Sequence, residues 1–219
     1  MARFHLPFGI NASEKYSSCI SKEEYKDLMN YAKMYNVRLE GFKRFSGNIG
    51  LIKEFIDDVV VVAEDFPKIL LGRRSLVIRL DERINDEDFA TTENHLISIN
   101  SKLYNNSEYL KQEYQMLADA GKFVMGTTYR SVAWHELGHI VANIYNINPL
   151  QIAKIIFPNK SDFEISEYIY DHLSQYASDY EDGREFISEC FSAYYSEVDN
   201  WFAKEYVKKC KELTVKEGE

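Results

Sequence analysis

Two histidines four residues apart, with a glutamate directly after the first, constrain this chain more than any other feature. His135, Glu136 and His139 lie in the segment HELGH, inside a stretch (129–146) whose pattern predicts a helix. Residues four apart on a helix differ by about 40° around its axis, so both imidazoles can reach one ion. Glu136 then projects near the open coordination position, where a carboxylate can take a proton from water. This segment is therefore expected to face a further metal ligand.

The third ligand must come from another element, and the chain offers several candidates. A catalytic zinc site needs three protein ligands and a fourth position open to water. The metzincin class uses a third histidine at the position that Tyr145 occupies here, which excludes that class. Glu185 and Glu189 lie one turn apart on one face of a predicted helix, so one could bind zinc while the other hydrogen-bonds a ligand histidine. His172 is the competing ligand.

Composition and sequence pattern limit the possible binding partners of the protein and the cell compartment in which it is expected. The formal net charge is −9, and no block of Lys and Arg interleaved with aromatics appears, which argues against nucleic acid as a partner. The N-terminus lacks the pattern of a signal peptide, and no apolar run reaches membrane-spanning length. Cys19, Cys190 and Cys210 are odd in number and far apart, unlike a disulfide framework. We expect a cytoplasmic protein without a membrane partner.

The order of predicted elements indicates an α+β fold. The run VVVVA (59–63) could be a buried strand, but the apolar spacing across 49–65 favours a helix. Before the HELGH segment we predict helices over 22–35, 49–65 and 107–119, and strands over 37–42, 75–80 and 95–100. After it we predict helices over 150–156, 163–176, 184–197 and 199–214. A small sheet with an active-site helix, followed by a helical lobe, is the expected architecture.

This layout suggests a division near residue 90. Residues 1–90 form an N-terminal α/β region of uncertain role, and residues 91–219 form the expected catalytic domain, unless the whole chain is one continuous domain.

Two segments carry a resemblance to a known family. GTTYRSVAWHELGHIV (126–141), followed by LSQYASDYEDGREFISECFSAYY (173–195), resembles the gluzincin domain of phage minor head proteins. The same layout occurs in the catalytic domain of anthrax lethal factor and in the pro-pro endopeptidases. The resemblance is clear over about 95–197 and implies a zincin-like (gluzincin) fold, an activity on peptide bonds and a phage-type setting, with association with the virion as one location. It also implies that HLISIN (95–100) is the edge strand to which zincins bind a peptide backbone to backbone, so a peptide or protein is the expected substrate.

The resemblance also implies roles for the later residues. The first glutamate of the Glu-Phe-x-x-Glu pattern, Glu185, corresponds to the zinc ligand, and Glu189 corresponds to the supporting carboxylate. A tyrosine shortly before that helix donates its hydroxyl to the oxyanion in those relatives, which implies Tyr176. Its spacing to Glu185 is two residues longer than usual, which leaves Tyr180 as the rival.

These observations predict a zinc-dependent endopeptidase. Zinc held by His135, His139 and Glu185 lowers the pKa of a bound water and polarises the scissile carbonyl, while Glu136 acts as general base. Tyr176 or Tyr180 stabilises the oxyanion. The alternative is a phage structural or host-interaction module that retains the zinc site but has little turnover.

Overall fold

A four-stranded sheet organises the first half of the chain. The structure, a computed structural model, describes residues 19–71, 75–85, 87–178 and 183–215. The strands are β1 (Val37–Glu40), β2 (Leu76–Asp81), β3 (Ala90–Glu93) and β4 (Leu96–Asn100). They stand in the order β1-β2-β4-β3, with β1, β2 and β4 parallel and β3 antiparallel to β4. β3 is therefore an edge of the sheet.

Helices make up most of the remaining described chain. They are α1 (Lys22–Met34), α2 (Ile49–Asp65), α3 (Lys68–Leu71), α4 (Ser101–Tyr104), α5 (Ser107–Asp119), α6 (Ser131–Ile144), α7 (Pro149–Ile156), α8 (Asp162–His172), α9 (Gln175–Ser178), α10 (Arg184–Tyr195) and α11 (Trp201–Val215). A 3-10 turn covers Phe42–Arg44. The expected α+β class is confirmed at this level.

The early helices follow local signals in the sequence. Ser21 caps α1 by accepting from the amide of Glu24, whose side chain accepts from the amide of Ser21 in return. α2 runs through the valine-rich segment as a helix rather than a strand, because its apolar residues recur every three to four positions and bury one face. Val61 points outward from that face and is 42% exposed.

The prediction for the edge strand was wrong. HLISIN forms β4, which lies between β2 and β3, and the edge is the short segment ATTE of β3. The burial of the two strands explains why β3, and not β4, lies at the edge. β4 is buried along most of its length, as an interior strand must be, whereas residues of β3 alternate between half-buried and exposed.

The single helix predicted over 163–176 is two separate helices in the structure, α8 and α9. α8 ends at His172, and Leu173 leaves the helical region with φ −124° and ψ −77°. The hydroxyl of Ser174 then accepts from the amide of Ala177 at the start of α9. A serine side chain can compete with the helix backbone in this way and begin a new turn.

The HELGH helix lies at the centre of the molecule. α6 contacts β3 and α2 on one side and α10 on the other, and α10 in turn contacts α7 and α11. The strands on both sides of residue 90 belong to the same sheet, and one contiguous core of buried residues extends from α1 to α11. Within the described ranges, no helix has both the length and the apolar character needed to cross a bilayer.

Candidate metal centre

Both histidines of α6 lie beside one carboxylate oxygen of α10. Nε2 of His135 is 3.2 Å from Oε2 of Glu185, and Nε2 of His139 is 3.3 Å from the same oxygen. The two imidazole rings are inclined at 80°, with centroids 5.1 Å apart. One ligand atom from each residue lies within 4.8 Å of the other two. The helical spacing therefore brings the histidines together as the sequence predicted.

Small residues let α6 and α10 approach closely enough for this convergence. A Cβ atom built on Gly138 would lie 2.7 Å from the Cα of Ser188, well inside contact distance. Farther along the interface, the hydroxyl of Ser192 donates to the carbonyl of Ser131, and the hydroxyls of Ser131 and Ser196 are 2.8 Å apart. Larger side chains at these glycine and serine positions would hold the acidic face of α10 away from α6.

The chemistry of the three groups fits a cation. Oε2 of Glu185 is buried and has no well-aligned hydrogen bond, although two imidazole nitrogens lie beside it. A buried carboxylate oxygen without a partner is costly, and a metal ion between the three groups would satisfy it. Two histidines and one glutamate are also a donor set of catalytic zinc sites. His135, His139 and Glu185 could therefore hold a metal ion.

Glu189 lies behind His135, on the side away from the other ligands. Its Oε1 is 2.9 Å from Nδ1 of His135, and the residue is only 2% exposed. When the Nδ1 proton is donated to this carboxylate, the lone pair of Nε2 faces Glu185. The two glutamates of α10 thus contact opposite nitrogens of one imidazole.

In the metal-free protein His135 holds its proton strongly, whereas Glu185 stays ionised. Burial opposes the charged imidazolium of His135, but the nearby carboxylates of Glu185 and Glu189 outweigh it and raise the pKa of His135 well above its ordinary value. Burial likewise opposes the charged form of Glu185, but the two histidines outweigh it and lower the pKa of Glu185. A metal ion must displace a proton from this cluster to bind.

Glu136 contacts the edge strand of the sheet. Its side-chain Oε2 accepts a hydrogen bond of 2.5 Å from the hydroxyl of Thr92, on β3, and the residue is 6% exposed. Sequence reasoning did not single out Thr92, because ATTE carries neither a strong strand pattern nor a motif. The only signal was its position directly before HLISIN.

Tyr176 lies close to the candidate metal ligands. Its ring centroid is 5.7 Å from that of His135. The amides of Gln175 and Tyr176 donate to the carbonyls of Gly121 and Lys122, which ties α9 to the loop after α5. The rival, Tyr180, lies outside the described residues.

His172, the competing ligand, is not part of the cluster. It is exposed at the end of α8, its ring stacks on Tyr168 with centroids 4.2 Å apart, and its Nδ1 is 3.0 Å from the carbonyl oxygen of Tyr168. Among the residues that the structure describes, His135, His139 and Glu185 are the group that could hold a metal.

The candidate ligands open onto a cleft of about 590 Å³. Residues of β3, α6, α9 and the start of α10 line this cleft. Its lining includes Thr92, Glu136, His139, Ile147, Tyr176 and Arg184. The edge strand and the candidate metal ligands therefore border the same cleft.

Comparisons with protein-family models, with curated proteins and with solved structures found no match for this chain. The gluzincin resemblance therefore rests on the two motif segments and stays a prediction.

Proposed function

We propose that this chain is a zinc-dependent endopeptidase of the gluzincin type, in the phage or prophage setting that its resemblance implies. The observation that carries the proposal is the convergence of His135, His139 and Glu185 in a cleft that also holds the carboxylate of Glu136. Three such ligands leave a zinc ion one further position for water or substrate. When bound, zinc supplies a Lewis acid that lowers the pKa of water and polarises a carbonyl group.

Glu136 suits the role of general base. It lies between the two histidines in sequence, but its carboxylate contacts Thr92 and is absent from the candidate ligand group. A carboxylate so placed can accept a proton from the attacking water and deliver it to the leaving amine. Because Glu136 is nearly buried beside β3, a peptide on that strand would exclude bulk water from it.

Tyr176 suits the role of oxyanion donor. Its ring neighbours that of His135, and both residues line the cleft. A hydroxyl that donates to the developing oxyanion contributes about 3–4 kcal/mol to transition-state stabilisation. The bend at Leu173 supports this role, because it separates α9 from α8 and directs Tyr176 into the cleft.

The free edge of β3 supports a peptide as the substrate. An extended peptide can join an exposed strand through main-chain hydrogen bonds, and β3 runs along the wall of the cleft. A sugar or a phosphate ester would gain nothing from such an edge. The excess of negative charge also disfavours nucleic acid.

The test is hydrolysis of a random peptide library by the zinc-loaded protein. We expect cleavage by the wild type and almost none by Glu136→Gln, which keeps the shape of the base but removes its function. Glu108→Gln is a matched control, since Glu108 lies on α5 with its side chain 77% exposed. Zinc content is measured for all three proteins, and each should bind close to one ion.

Two results would overturn the proposal. Wild-type protein that binds no zinc in zinc-sufficient medium would remove its basis. Protein that binds zinc but cleaves nothing in the library would favour the structural or host-interaction module instead.

A further inference from the structure

Thr92 joins the edge strand to the candidate general base. Its hydroxyl donates to Oε2 of Glu136 at 2.5 Å and also lies 3.4 Å from the carbonyl oxygen of that residue. Thr92 is half-buried and Glu136 is nearly buried, so the contact lies at the base of the cleft wall. The glutamate side chain has several rotatable bonds, and this bond restricts them to one arrangement.

The register of β3 gives the same residue a second role. The amide of Asn100 donates to the carbonyl of Phe89, so these two residues form a hydrogen-bonded pair of the antiparallel ladder. In an antiparallel ladder, hydrogen-bonded pairs alternate with non-hydrogen-bonded pairs. Ala90 lies opposite Ile99 and Thr92 lies opposite Ile97, and both of these are non-hydrogen-bonded pairs. The backbone N–H and C=O groups of Ala90 and Thr92 therefore point away from β4, toward the open edge. A peptide that extends the sheet would bond to these groups.

We infer that Thr92 is a positioning residue that links substrate pairing to the base. Its backbone receives the peptide while its hydroxyl holds the carboxylate of Glu136. One residue thus sets the distance between the bound peptide backbone and the group that accepts the proton. Misplacement of a catalytic group by a fraction of an ångström is enough to slow a reaction. This inference rests on the proposed peptidase function and assigns a contributor that no motif contains.

Thr214 provides a control of the same residue type. It lies near the end of α11, it is not among the residues that line the cleft, and its hydroxyl donates to the carbonyl of Lys211. Thr→Val at either position keeps the approximate volume and the β-branched shape of the side chain. The loss of a hydroxyl that reaches Glu136 is specific to Thr92→Val.

The first measurement is steady-state hydrolysis of one cleaved peptide by zinc-loaded variants. We expect Thr92→Val to lower kcat about 10-fold or more, since a misplaced base loses part of its contribution, with KM within about twofold. Thr92→Ser should restore most of kcat, and Thr214→Val should lie within about twofold of the wild type in both constants. Zinc affinity should be the same in all four proteins. An unchanged kcat for Thr92→Val, or a failure of Thr92→Ser to restore it, would overturn the role.

The second measurement needs no turnover. In metal-free protein, Thr92→Val should lower the melting temperature by about 2–6 °C in the wild-type background and clearly less in a Glu136→Ala background. Equal shifts in both backgrounds would show that the hydroxyl and the carboxylate are not coupled, and the inference would fall. If the wild type cleaves no peptide, the proposed function fails, and this thermal cycle still decides whether Thr92 holds Glu136.

Discussion

Glu185 and Glu189 are the same residue type one turn apart, yet their surroundings predict different effects on metal binding. Oε2 of Glu185 lies next to both Nε2 atoms, whereas Glu189 contacts only Nδ1 of His135. We expect Glu185→Gln to lose most of its zinc affinity. Glu189→Gln should bind zinc about 10–100-fold more weakly, because it removes a group that orients a ligand rather than a ligand itself. Competition titration against a zinc chelator measures both, with Glu136→Gln as the variant that keeps zinc. Stronger zinc loss in Glu189→Gln than in Glu185→Gln would reverse the assignment.

The hydroxyl of Tyr176 should act in the transition state rather than in substrate binding. Its ring is 5.7 Å from that of His135 and its backbone is fixed by a hydrogen bond to the carbonyl of Lys122. Tyr176→Phe keeps the ring and its packing and should reduce kcat about 100-fold with little change in KM. Tyr180→Phe, measured on the same peptide, is the comparison. A fall in kcat for Tyr180→Phe alone would transfer the role to that residue.

At the scale of elements, the contact between α6 and α10 should tolerate no added carbon at Gly138. Alanine is the better helix former by about 1 kcal/mol, but its Cβ would lie 2.7 Å from backbone of Ser188, which no side-chain rotation can relieve. Overpacking of this kind costs about 1–3 kcal/mol or more, so the steric effect should win. We expect Gly138→Ala to melt several degrees lower and to bind zinc more weakly, because the helices separate. Asn143→Ala, at an exposed position of the same helix, is the control, and it should keep the zinc affinity and melt no lower than the wild type.

Elements with a strong periodic pattern and local caps were predictable from sequence. Ser21 and the apolar spacing of 49–65 were sufficient to place α1 and α2, and the histidine spacing was sufficient to pair His135 with His139. The edge position of β3 was not predictable, because its four residues, none of which is fully buried, become a strand only through pairing with β4. The contact of Thr92 with Glu136 follows from that pairing, so it was hidden for the same reason.

At the scale of the whole molecule, protons and metal compete for one cluster. The raised pKa of His135 gives the metal-free protein stability that is complete below the ordinary value of 6.5 and is lost as the pH rises through the raised value. The lowered pKa of Glu185 gives stability that is complete above the ordinary value of 4.5 and is lost only as the pH falls through the lowered value. Zinc binds the unprotonated imidazole, so the affinity for zinc should rise with pH, whereas the stability that protonated His135 contributes falls.

We therefore expect the stabilisation by zinc to grow with pH. The rise in melting temperature on zinc addition should be small near pH 6 and should reach about 8–16 °C near pH 8, if free zinc is then about 1,000 times its Kd. Removal of the ion by a chelator should leave the helical circular dichroism intact at 25 °C, because the core extends far beyond the site. A stabilisation that falls between pH 6 and pH 8, or a chelated protein that unfolds, would contradict this account.

The positions of the candidate ligands along the chain determine the order in which they become available during synthesis. His135 and His139 come from one helix and are in place as soon as α6 forms. Glu185 becomes part of the site only after α7, α8 and α9 have been made and α10 has docked against Gly138. A nascent chain thus presents a pair of nitrogens, which hold an ion weakly, before it presents a complete site. Under the proposed function, capture of the ion would therefore be a late event that reports the docking of α10.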